Sequence, residues 1–597
     1  MIINDPHSYS KPGDVAVKHL HLNLVADFAT KTLEGYAELQ LINYAQAQEL
    51  WLDSKDLTIK KITLDDGSEA KYELGNNDSI LGQSIRIDIK PTTQKVKVEY
   101  RTSPHAEALQ WLEPQQTAGK KHPFLFSQSQ AILARTWIPL QDAPAVKFTY
   151  SATIKTDPRL MVLMSAENGT KLNADGVYNF NMPQPIPAYL MAITIGNFEY
   201  RNLGKDCGVY AEPEMIEKSA WEFADLEKMI HSAEELYGPY AWGKYDVIVL
   251  PPSFPFGGME NPRLTFATPT IIAGDRSLVS LVAHELAHSW SGNLVTNATW
   301  NDFWLNEGFT VYFERRIMQK IYGRELSEMM AALALGELKN TIAEFGAEHP
   351  DTRLKLSLEG RNPDDGVSDI AYEKGYFFLR TVEEAVGMEK WDTFVKKYFD
   401  TFAFKTMNTE DFLVYLDTEL LKGDMTLRDK IQVDKWVYQP GLPANCPQPK
   451  SGEFDKVMKQ VEAFKNGKKA AQLDTNGWMT QHWQYFLRNL PKPLTTAQMA
   501  DLDAAFKFTN TGNSEIACDW FQLAIDANYQ PAYPKMEEFL IAVGRRKFLK
   551  PLYGKLVKTP EGKEWAKKVY AKARPGYHAV SINTIDEMLG MGGTAAH

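Results

Sequence analysis

The strongest chemical signal in this chain of 597 residues is a pair of histidines with three residues between them. His284 and His288 belong to the sequence HELAH, and on a helix they would project from the same face, one turn apart. Two imidazoles in this arrangement can bind one Zn²⁺ ion. Glu285 would be rotated by about 100° around that helix, so it could reach a zinc-activated water without binding the metal. The apolar spacing predicts a helix over 274–293, with Asp275 as its N-cap.

A catalytic zinc site needs a third protein ligand and an open position, and the next segment supplies a candidate. Eighteen residues separate His288 from Glu307, which would let the first helix end near Gly292 and a second one, over 301–323, bring Glu307 alongside. Glu314 lies seven residues after Glu307 and would share its helix face, where it could orient a ligand imidazole. A solvated charge or an ordinary ion pair explains Glu314 equally well from the sequence alone.

Composition and charge argue against a nucleic-acid-binding, disulfide-rich or membrane protein. The formal net charge of -11 and the pI of about 5.7 argue against a nucleic-acid partner. Cys207, Cys446 and Cys518 are far apart and odd in number, which indicates no disulfide framework and favours a reducing, cytoplasmic location. The N-terminus lacks a basic segment followed by an apolar run, and no stretch of about 18 apolar residues occurs, so we expect neither a secretory signal nor membrane insertion.

Alternating apolar and polar residues in the first part of the chain predict an antiparallel β domain. The clearest of these segments are 19–28, 32–44, 95–100 and 146–154. Beyond residue 205 the periodicity becomes helical, as at 219–238, apart from an apolar strand at 245–252. Helices also dominate the end of the chain, at 496–508, 515–527, 533–544 and 562–573.

The length is too great for one hydrophobic core and predicts about three or four domains. The segment 439–454 contains four prolines, which is typical of a linker. We therefore predict four units: an N-terminal β domain (1–200), a zinc catalytic domain (201–438), the linker (439–454) and a C-terminal helical domain (455–597).

A second motif, GGMEN at residues 257–261, precedes the histidines. Alone, it would be interpreted as an ordinary loop. GGMEN, HELAH and the glutamate of WLNEGF, in this order and spacing, together resemble the gluzincin zinc aminopeptidase family. Within that family the chain is most similar to the subgroup of leukotriene A(4) hydrolase and its bacterial aminopeptidase relatives. The similarity extends over nearly the whole chain and is clearest at 126–136, 252–266, 288–297, 371–375 and 544–548.

The resemblance implies an α+β multidomain fold with an N-terminal antiparallel β saddle, a thermolysin-like catalytic domain and a C-terminal α-helical superhelix. It implies one Zn²⁺ per chain, held by His284, His288 and Glu307. Glu285 would be the general base that takes the proton of the zinc-activated water and passes it to the leaving amine. The hydroxyl of Tyr372, in AYEKG, would stabilise the charge that develops on the carbonyl oxygen.

Removal of an N-terminal residue also requires recognition of a free α-ammonium. Glu260 of GGMEN would be the carboxylate partner, and the resemblance adds Gln130 as a second amine-binding group. The backbone of Gly257, Gly258 and Met259 could pair with the extended substrate as an added strand, and the glycines would permit close approach.

Further substrate-binding residues follow from the resemblance. Arg545 and Lys547, in GRRKF, match residues that hold the C-terminal carboxylate of a peptide, although most basic clusters are simply solvated. Asp364 matches an aspartate that serves an epoxide reaction in the subgroup and helps to shape the peptide site. Val367 and Phe256 stand where leukotriene A(4) hydrolase has tyrosines, which changes the pocket wall.

The residues therefore predict a zinc metallo-aminopeptidase that acts on peptides with a free N-terminus. The alternative is an epoxide hydrolase acting on a lipid epoxide. A non-catalytic peptide-binding scaffold is a third hypothesis, and it is disfavoured because every catalytic position is filled, including Glu285 and Tyr372.

Overall fold

The computed structural model of the chain describes residues 4–591, in which strands prevail up to Ala211 and helices beyond it. The strands are β1 (Val15–Asp27), β2 (Thr32–Asn43), β3 (Glu49–Ser54), β4 (Thr58–Leu64), β5 (Tyr72–Leu74), β6 (Gln83–Asp88), β7 (Lys95–Arg101), β8 (Leu109–Leu112), β9 (Phe124–Ser127), β10 (Lys147–Lys155), β11 (Met161–Met164), β12 (Val177–Pro187), β13 (Ile193–Gly196), β14 (Glu199–Asn202), β15 (Cys207–Ala211), β16 (Tyr245–Val249), β17 (Gly258–Met259), β18 (Leu264–Ala267), β19 (Thr296–Asn297) and β20 (Thr406–Met407).

The helices are α1 (Ile216–Glu222), α2 (Leu226–Tyr237), α3 (Ser280–Ala287), α4 (Phe303–Tyr322), α5 (Arg324–Phe345), α6 (Gly375–Val386), α7 (Met388–Thr401), α8 (Thr409–Tyr415), α9 (Met425–Ile431), α10 (Val433–Tyr438), α11 (Gly452–Lys465), α12 (Thr480–Asn489), α13 (Thr496–Phe506), α14 (Ser514–Asp526), α15 (Tyr533–Ala542), α16 (Arg546–Leu556), α17 (Pro560–Ala573) and α18 (Ala579–Leu589). Within residues 4–591, no helix combines the length and the apolar composition needed to cross a bilayer.

The predicted N-terminal β domain is confirmed, and its largest sheet has the order β12-β10-β1-β2-β7-β4. Alternation explains how β1 packs, because Leu20, Leu22 and Leu24 are fully buried while their neighbours lie on the opposite, more exposed face. The expected antiparallel pairing fails at one place, since β1 and β10 run parallel. A parallel pair needs a long connection, and the chain between Asp27 and Lys147 provides one.

The sheet of the central unit positions part of the site. Its order is β14-β15-β16-β18-β17, so β17, which contains Gly258 and Met259, is an edge strand. β17 pairs antiparallel with β18 on one side only, with Gly258 opposite Ala267. An edge strand keeps free backbone N–H and C=O groups that an extended peptide can pair with.

Two details of the predicted histidine helix are wrong. α3 begins at Ser280, and Asp275 is not its N-cap. The carboxylate of Asp275 instead accepts the backbone N–H of Ser277 in the turn before the helix. α3 ends at Ala287, before the predicted Gly292, whose positive φ of 100° then reverses the chain. The following helix is confirmed, since α4 runs from Phe303 to Tyr322 with Gly323 after it.

The predicted helix over 219–238 is also interrupted, because α1 ends at Glu222 and α2 begins at Leu226. Phe223, in the break between them, is buried. The confirmed C-terminal helical domain comprises α11–α18 and has its own core, to which the catalytic unit contributes Met329. The N-terminal and catalytic units share one continuous core. The exact boundaries at 200, 438 and 454 remain our proposal; α11 begins at Gly452, just inside the predicted linker.

Candidate metal centre and active site

Three predicted ligands converge between α3 and α4. The Nε2 atoms of His284 and His288 lie 3.2 Å apart, and Oε2 of Glu307 lies 3.3 Å from the first and 3.5 Å from the second. Four ligands at 2.0–2.1 Å around a tetrahedral ion would be separated by about 3.3 Å. The three observed distances therefore match three corners of a zinc coordination tetrahedron.

The other nitrogen of each imidazole is already engaged. His284 Nδ1 lies 3.1 Å from Oε2 of Glu314, and His288 Nδ1 lies 3.0 Å from the carbonyl oxygen of Ser291 and from Oγ1 of Thr310. Because a carboxylate and a carbonyl only accept, each Nδ1 carries the proton and donates it. The two Nε2 atoms then face each other and Glu307 Oε2, and once deprotonated they present lone pairs toward it. This oxygen is buried and has no hydrogen bond among residues 4–591. Lone pairs that converge in this way fit a cation.

The electrostatics of the centre favour positive charge. Burial acts to lower the pKa of His288, but the carboxylates of Glu260 and Glu307 outweigh it and raise the pKa to about 9. Burial acts in the opposite sense on Glu307, and the two histidines overcome it and lower the pKa of that carboxyl to about 2. A compact cation at this point would be stabilised by the same carboxylates, and the mixed imidazole–carboxylate set suits zinc.

Glu285 lies beside this centre on α3. Its carboxylate is buried, lines the central cavity and, with Glu260 and His288, forms a second group of close ligand atoms. Burial, only partly offset by His284 and His288, raises the pKa of Glu285 to about 8. A Cβ on Gly258 would overlap Oε1 of Glu285, so a glycine there leaves room for this carboxylate.

Tyr372 reaches the centre from a different part of the chain. Its ring lies parallel to that of His284 with 6.0 Å between centroids, and the residue lines the cavity. Burial, together with Glu307 and Glu260, holds the pKa of Tyr372 well above its usual value, so the hydroxyl keeps its proton and can donate it.

A π-helical turn over Ile370–Lys374 carries Tyr372, and two contacts that the sequence did not reveal hold this turn. Glu373 receives both of its hydrogen bonds from Arg315 Nη2, at 2.7 and 3.0 Å. The buried ammonium of Lys374 donates to the carbonyl oxygens of Thr352 and Gln439. A shift from α to π periodicity has no simple sequence signature, so only the structure shows it.

Gly257, Gly258 and Glu260 of the GGMEN segment line the same cavity as Tyr372. Glu260 is buried, and its Oε1 has no hydrogen-bond partner among the described residues, while Asn293 Nδ2 donates to its backbone oxygen at 2.8 Å. An unpaired buried carboxylate oxygen fits an incoming ammonium group. Met259 is an exception among the predicted substrate residues: its side chain is buried against Gln128 and does not line the cavity, so only its backbone can face a substrate.

These groups surround one cavity of about 350 Å³. The structure brings together there Gln130, Gly257, Gly258, Glu260, His284, Glu285, His288, Glu307, Glu314, Asp364, Tyr372, Arg545 and Lys547. Asp364 is half-buried on a wall that also includes Phe256 and Val367, and burial raises the pKa of its carboxyl. A cavity of this size, with both apolar and charged residues in its walls, can accommodate a short peptide.

The end of the cavity formed by the C-terminal domain contains a residue that sequence reasoning missed. Lys547 Nζ donates to both carboxylate oxygens of Glu515, at 2.8 and 2.9 Å, and Arg545 Nη1 lies 3.5 Å from Oε1 of the same residue. Arg545 and Glu515 are buried, whereas Lys547 is about half exposed. Glu515 sits on α14, 32 residues before Lys547, and no local motif indicates that they meet.

Three family descriptions match the chain in sequence order. Residues 6–190 match the Peptidase M1 N-terminal domain, residues 221–436 the Peptidase family M1 domain, and residues 478–589 the C-terminal domain of leukotriene A4 hydrolase. Together these matches account for the β-rich, catalytic and helical parts.

Individual relatives match over almost their full length. Leukotriene A-4 hydrolase of Xenopus laevis is 38% identical over 601 residues, which cover 97% of this chain and 98% of that protein. Leucine aminopeptidase 2 of Chaetomium globosum is 35% identical over 616 residues and 99% of each chain. The structure of yeast LTA4 hydrolase in complex with bestatin superposes with a TM-score of 0.90 at 33% identity, covering 98% of this chain and 97% of that one.

Proposed function

This chain belongs to peptidase family M1, and on that premise we propose which of its residues carry out the reaction. It is a zinc metallo-aminopeptidase, and peptides are its substrates. The residue roles that follow are our proposal. They are supported by the placement of complementary groups around a single cavity.

Substrate recognition begins with the free N-terminus. Glu260, whose Oε1 is buried and unpaired among the described residues, binds the α-ammonium, and Gln130, which lines the same cavity, is the second partner. The edge strand β17 pairs with the extended backbone of the peptide. These contacts place the first peptide bond beside the metal ligands and explain why a blocked N-terminus would be rejected.

His284, His288 and Glu307 would hold one zinc ion, and the bound ion would supply the Lewis acidity that polarises the scissile carbonyl and lowers the pKa of a water. Glu285 takes the proton from that water and delivers it to the leaving amine. The hydroxyl of Tyr372 donates a hydrogen bond to the carbonyl oxygen as negative charge develops on it. Glu314 fixes the His284 tautomer through Nδ1.

One observation carries this proposal. Two imidazole Nε2 lone pairs and an orphaned carboxylate oxygen converge at the mutual separations of a zinc site, next to a second carboxylate, Glu285, that does not take part in the convergence. A structural ion pair would not need two imidazole Nε2 atoms to face each other at 3.2 Å. A carboxylate held beside the ligands is in position to accept a proton.

The test is to replace Glu285 with glutamine, which keeps the size of the side chain and removes its basicity. We expect the variant to retain stoichiometric zinc and to lose hydrolysis of aminoacyl fluorogenic amides by about 100-fold or more. A chelator should abolish wild-type activity, and added zinc should restore it. Full activity in Glu285→Gln, or cleavage that resists the chelator, would contradict the proposal.

Hydrolysis of a lipid epoxide is the second candidate. A relative bears the name leukotriene A-4 hydrolase, and in this chain Asp364 lines the same cavity as the metal ligands. Phe256 and Val367 shape the wall around it. Incubation of the wild-type enzyme with a fatty-acid epoxide and chromatography of the products decides this candidate, since the absence of a diol would eliminate it.

We also propose peptides with a free N-terminus as the partners, without nucleic acid or membrane, and a cytoplasmic location. The acidic net charge supports the first exclusion. Cys207, Cys446 and Cys518 are buried, free thiols, which is consistent with a reducing compartment. Fractionation of cells that produce the protein would test the location.

A further inference from the structure

The two basic residues at the far end of the cavity already have an internal carboxylate. Both oxygens of Glu515 accept hydrogen bonds from Lys547 Nζ, and the guanidinium of Arg545 lies 3.5 Å from one of them. Gln484 Nε2 donates to Glu515 Oε2 at 3.2 Å. A substrate carboxylate that enters this cluster therefore meets two cations and one anion rather than two free cations.

Glu515 is ionised in this environment. Burial acts to raise the pKa of its carboxyl, but Lys547 and Arg545 outweigh it and hold the pKa below the usual value. Arg545 remains charged at any physiological pH. Counting Arg545, Lys547 and Glu515 together, the formal charge of the cluster is +1.

We propose that Glu515 is a specificity-determining residue that weakens the preference of the enzyme for peptides with a free C-terminal carboxylate over their C-terminal amides. The proposal rests on the proposed aminopeptidase function and concerns substrate choice at the opposite end of the peptide. Glu515 competes with the substrate carboxylate for Arg545 and Lys547. It therefore determines how strongly these two cations attract the substrate carboxylate. Peptides that continue beyond the cluster, or that end in an amide, are then tolerated.

The cluster keeps capacity for a ligand. Two buried polar atoms have no hydrogen-bond partner among residues 4–591. They are Nε of Arg545, which is a donor, and Oε1 of Gln481, which is an acceptor. Gln481 lines the same cavity and is held by its Nε2, which donates to the carbonyl oxygen of Ser277 at 2.8 Å. An unpaired donor and an unpaired acceptor fit the end of a peptide chain, which offers both an N–H and an acidic or amide carbonyl group.

The distance to the reaction centre suits short peptides. A Cβ on Gly257 would lie 2.8 Å from Arg545 Nη2, and a Cβ on the next residue, Gly258, would overlap Glu285. Arg545 and the proposed general base are therefore close to two successive residues, Gly257 just before β17 and Gly258 at its start. An extended peptide advances about 3.3–3.6 Å per residue, so a tripeptide carries its carboxylate about 7 Å beyond the scissile bond, within the cavity that the metal ligands share with Arg545 and Lys547.

The experiment measures kcat/KM for a tripeptide and for its C-terminal amide, and uses the acid-to-amide ratio as the readout. This ratio cancels any loss of activity that is common to both substrates. Glu515→Gln raises the formal charge of the cluster to +2, Lys547→Gln lowers it to 0, and the double variant returns it to +1. We expect the ratio to rise about tenfold in Glu515→Gln, corresponding to about 1.4 kcal/mol. It should fall below the wild-type value in Lys547→Gln and return close to that value in the double variant.

A matched control comes from the same helix. Asp519 lies one turn after Glu515 on α14, is buried and pairs with Arg488 at 2.9 Å, but it does not line the cavity. Asp519→Asn should leave the acid-to-amide ratio at the wild-type value. A change in Asp519→Asn equal to that in Glu515→Gln would point to a general disturbance of α14 and would overturn the proposal.

An unchanged or lower ratio in Glu515→Gln would overturn the proposal, as would a double variant whose ratio stays as low as that of Lys547→Gln. The double variant also covers the case in which Glu515→Gln fails to fold because it leaves the buried Arg545 and the half-exposed Lys547 without their counter-ion. Failure of the proposed aminopeptidase function is distinguishable, since wild-type enzyme would then not cleave an aminoacyl anilide, a substrate too short to reach the cluster.

Discussion

His284 Nδ1 lies 3.1 Å from Oε2 of Glu314. Glu314 is on α4, seven residues after the predicted ligand Glu307. The contact fixes the proton of His284 on Nδ1 and aims the bare Nε2 at the proposed metal position. We therefore propose that Glu314 acts on the metal through His284. Its side chain is only 13% exposed, which argues against a solvated surface charge.

Removal of this contact should weaken zinc binding. We expect Glu314→Ala to lower zinc affinity by about 10–100-fold, and Glu314→Gln to lower it less, because an amide oxygen still accepts the Nδ1 proton. Competition with a chromophoric chelator measures the affinity. Glu328→Gln on α5, which removes an ion pair with Arg380, is the control and should bind zinc normally. Normal affinity in Glu314→Ala would show that His284 needs no such support.

Loss of the Tyr372 hydroxyl should affect the chemical step more than binding. We expect Tyr372→Phe to reduce kcat by about 100-fold with little change in KM, since the hydrogen bond strengthens only as the carbonyl oxygen becomes negative. Steady-state kinetics on an aminoacyl amide provide both constants. Tyr376→Phe removes a hydroxyl that accepts from Arg380 outside the cavity and should leave kcat near wild type. Equal kcat losses in the two variants would argue against the assigned role.

Glu260 should determine whether a free N-terminus is required. Glu260→Gln removes the negative charge that pairs with the α-ammonium, so we expect KM for unblocked aminoacyl amides to rise by about tenfold or more. The N-acetylated versions of the same amides should be poor substrates for the wild type. If the wild-type enzyme cleaves them as well as the free amines, Glu260 does not select the terminus.

Acid should destabilise the contact between the first and last domains. His578 Nδ1 accepts the backbone N–H of Val580 at the start of α18, and Nε2 donates to the carbonyl oxygen of Ala108 at 3.4 Å. Burial lowers the pKa of His578 to about 4, while the unfolded chain titrates near 6.5. Below pH 6.5 the unfolded state binds the additional proton, so stability falls as the pH drops from about 6.5 to 4, by up to about 3 kcal/mol.

This pH dependence can be measured as the decline of the unfolding midpoint Tm between pH 7 and 4. In His578→Asn the decline should be smaller, because asparagine still caps the helix but does not titrate in this range. The exposed His231, on α2, provides the control, and His231→Asn should decline like the wild type. An identical slope in wild type and His578→Asn would exclude His578 as the source.

Much of this site could be predicted because its main spacings are local. Three residues between His284 and His288 place both on one helix face whatever surrounds the helix, and the alternation through Leu20, Leu22 and Leu24 identifies a strand in the same way. GGMEN and WLNEGF add their positions through the resemblance to known aminopeptidases. These features depend on the period of a helix, the period of a strand, or a short motif, all of which a linear chain displays.

Other features depended on which surfaces meet. The chain alone did not reveal that Glu314 reaches His284 rather than solvent, that a π-helical turn presents Tyr372, or that β1 and β10 run parallel. Nor did it pair Glu515 with Lys547. Each of these contacts joins residues on different elements, and their distance is decided by how the helices and strands pack together. Periodicity specifies which face of an element is buried, whereas packing of the whole chain specifies what that face touches.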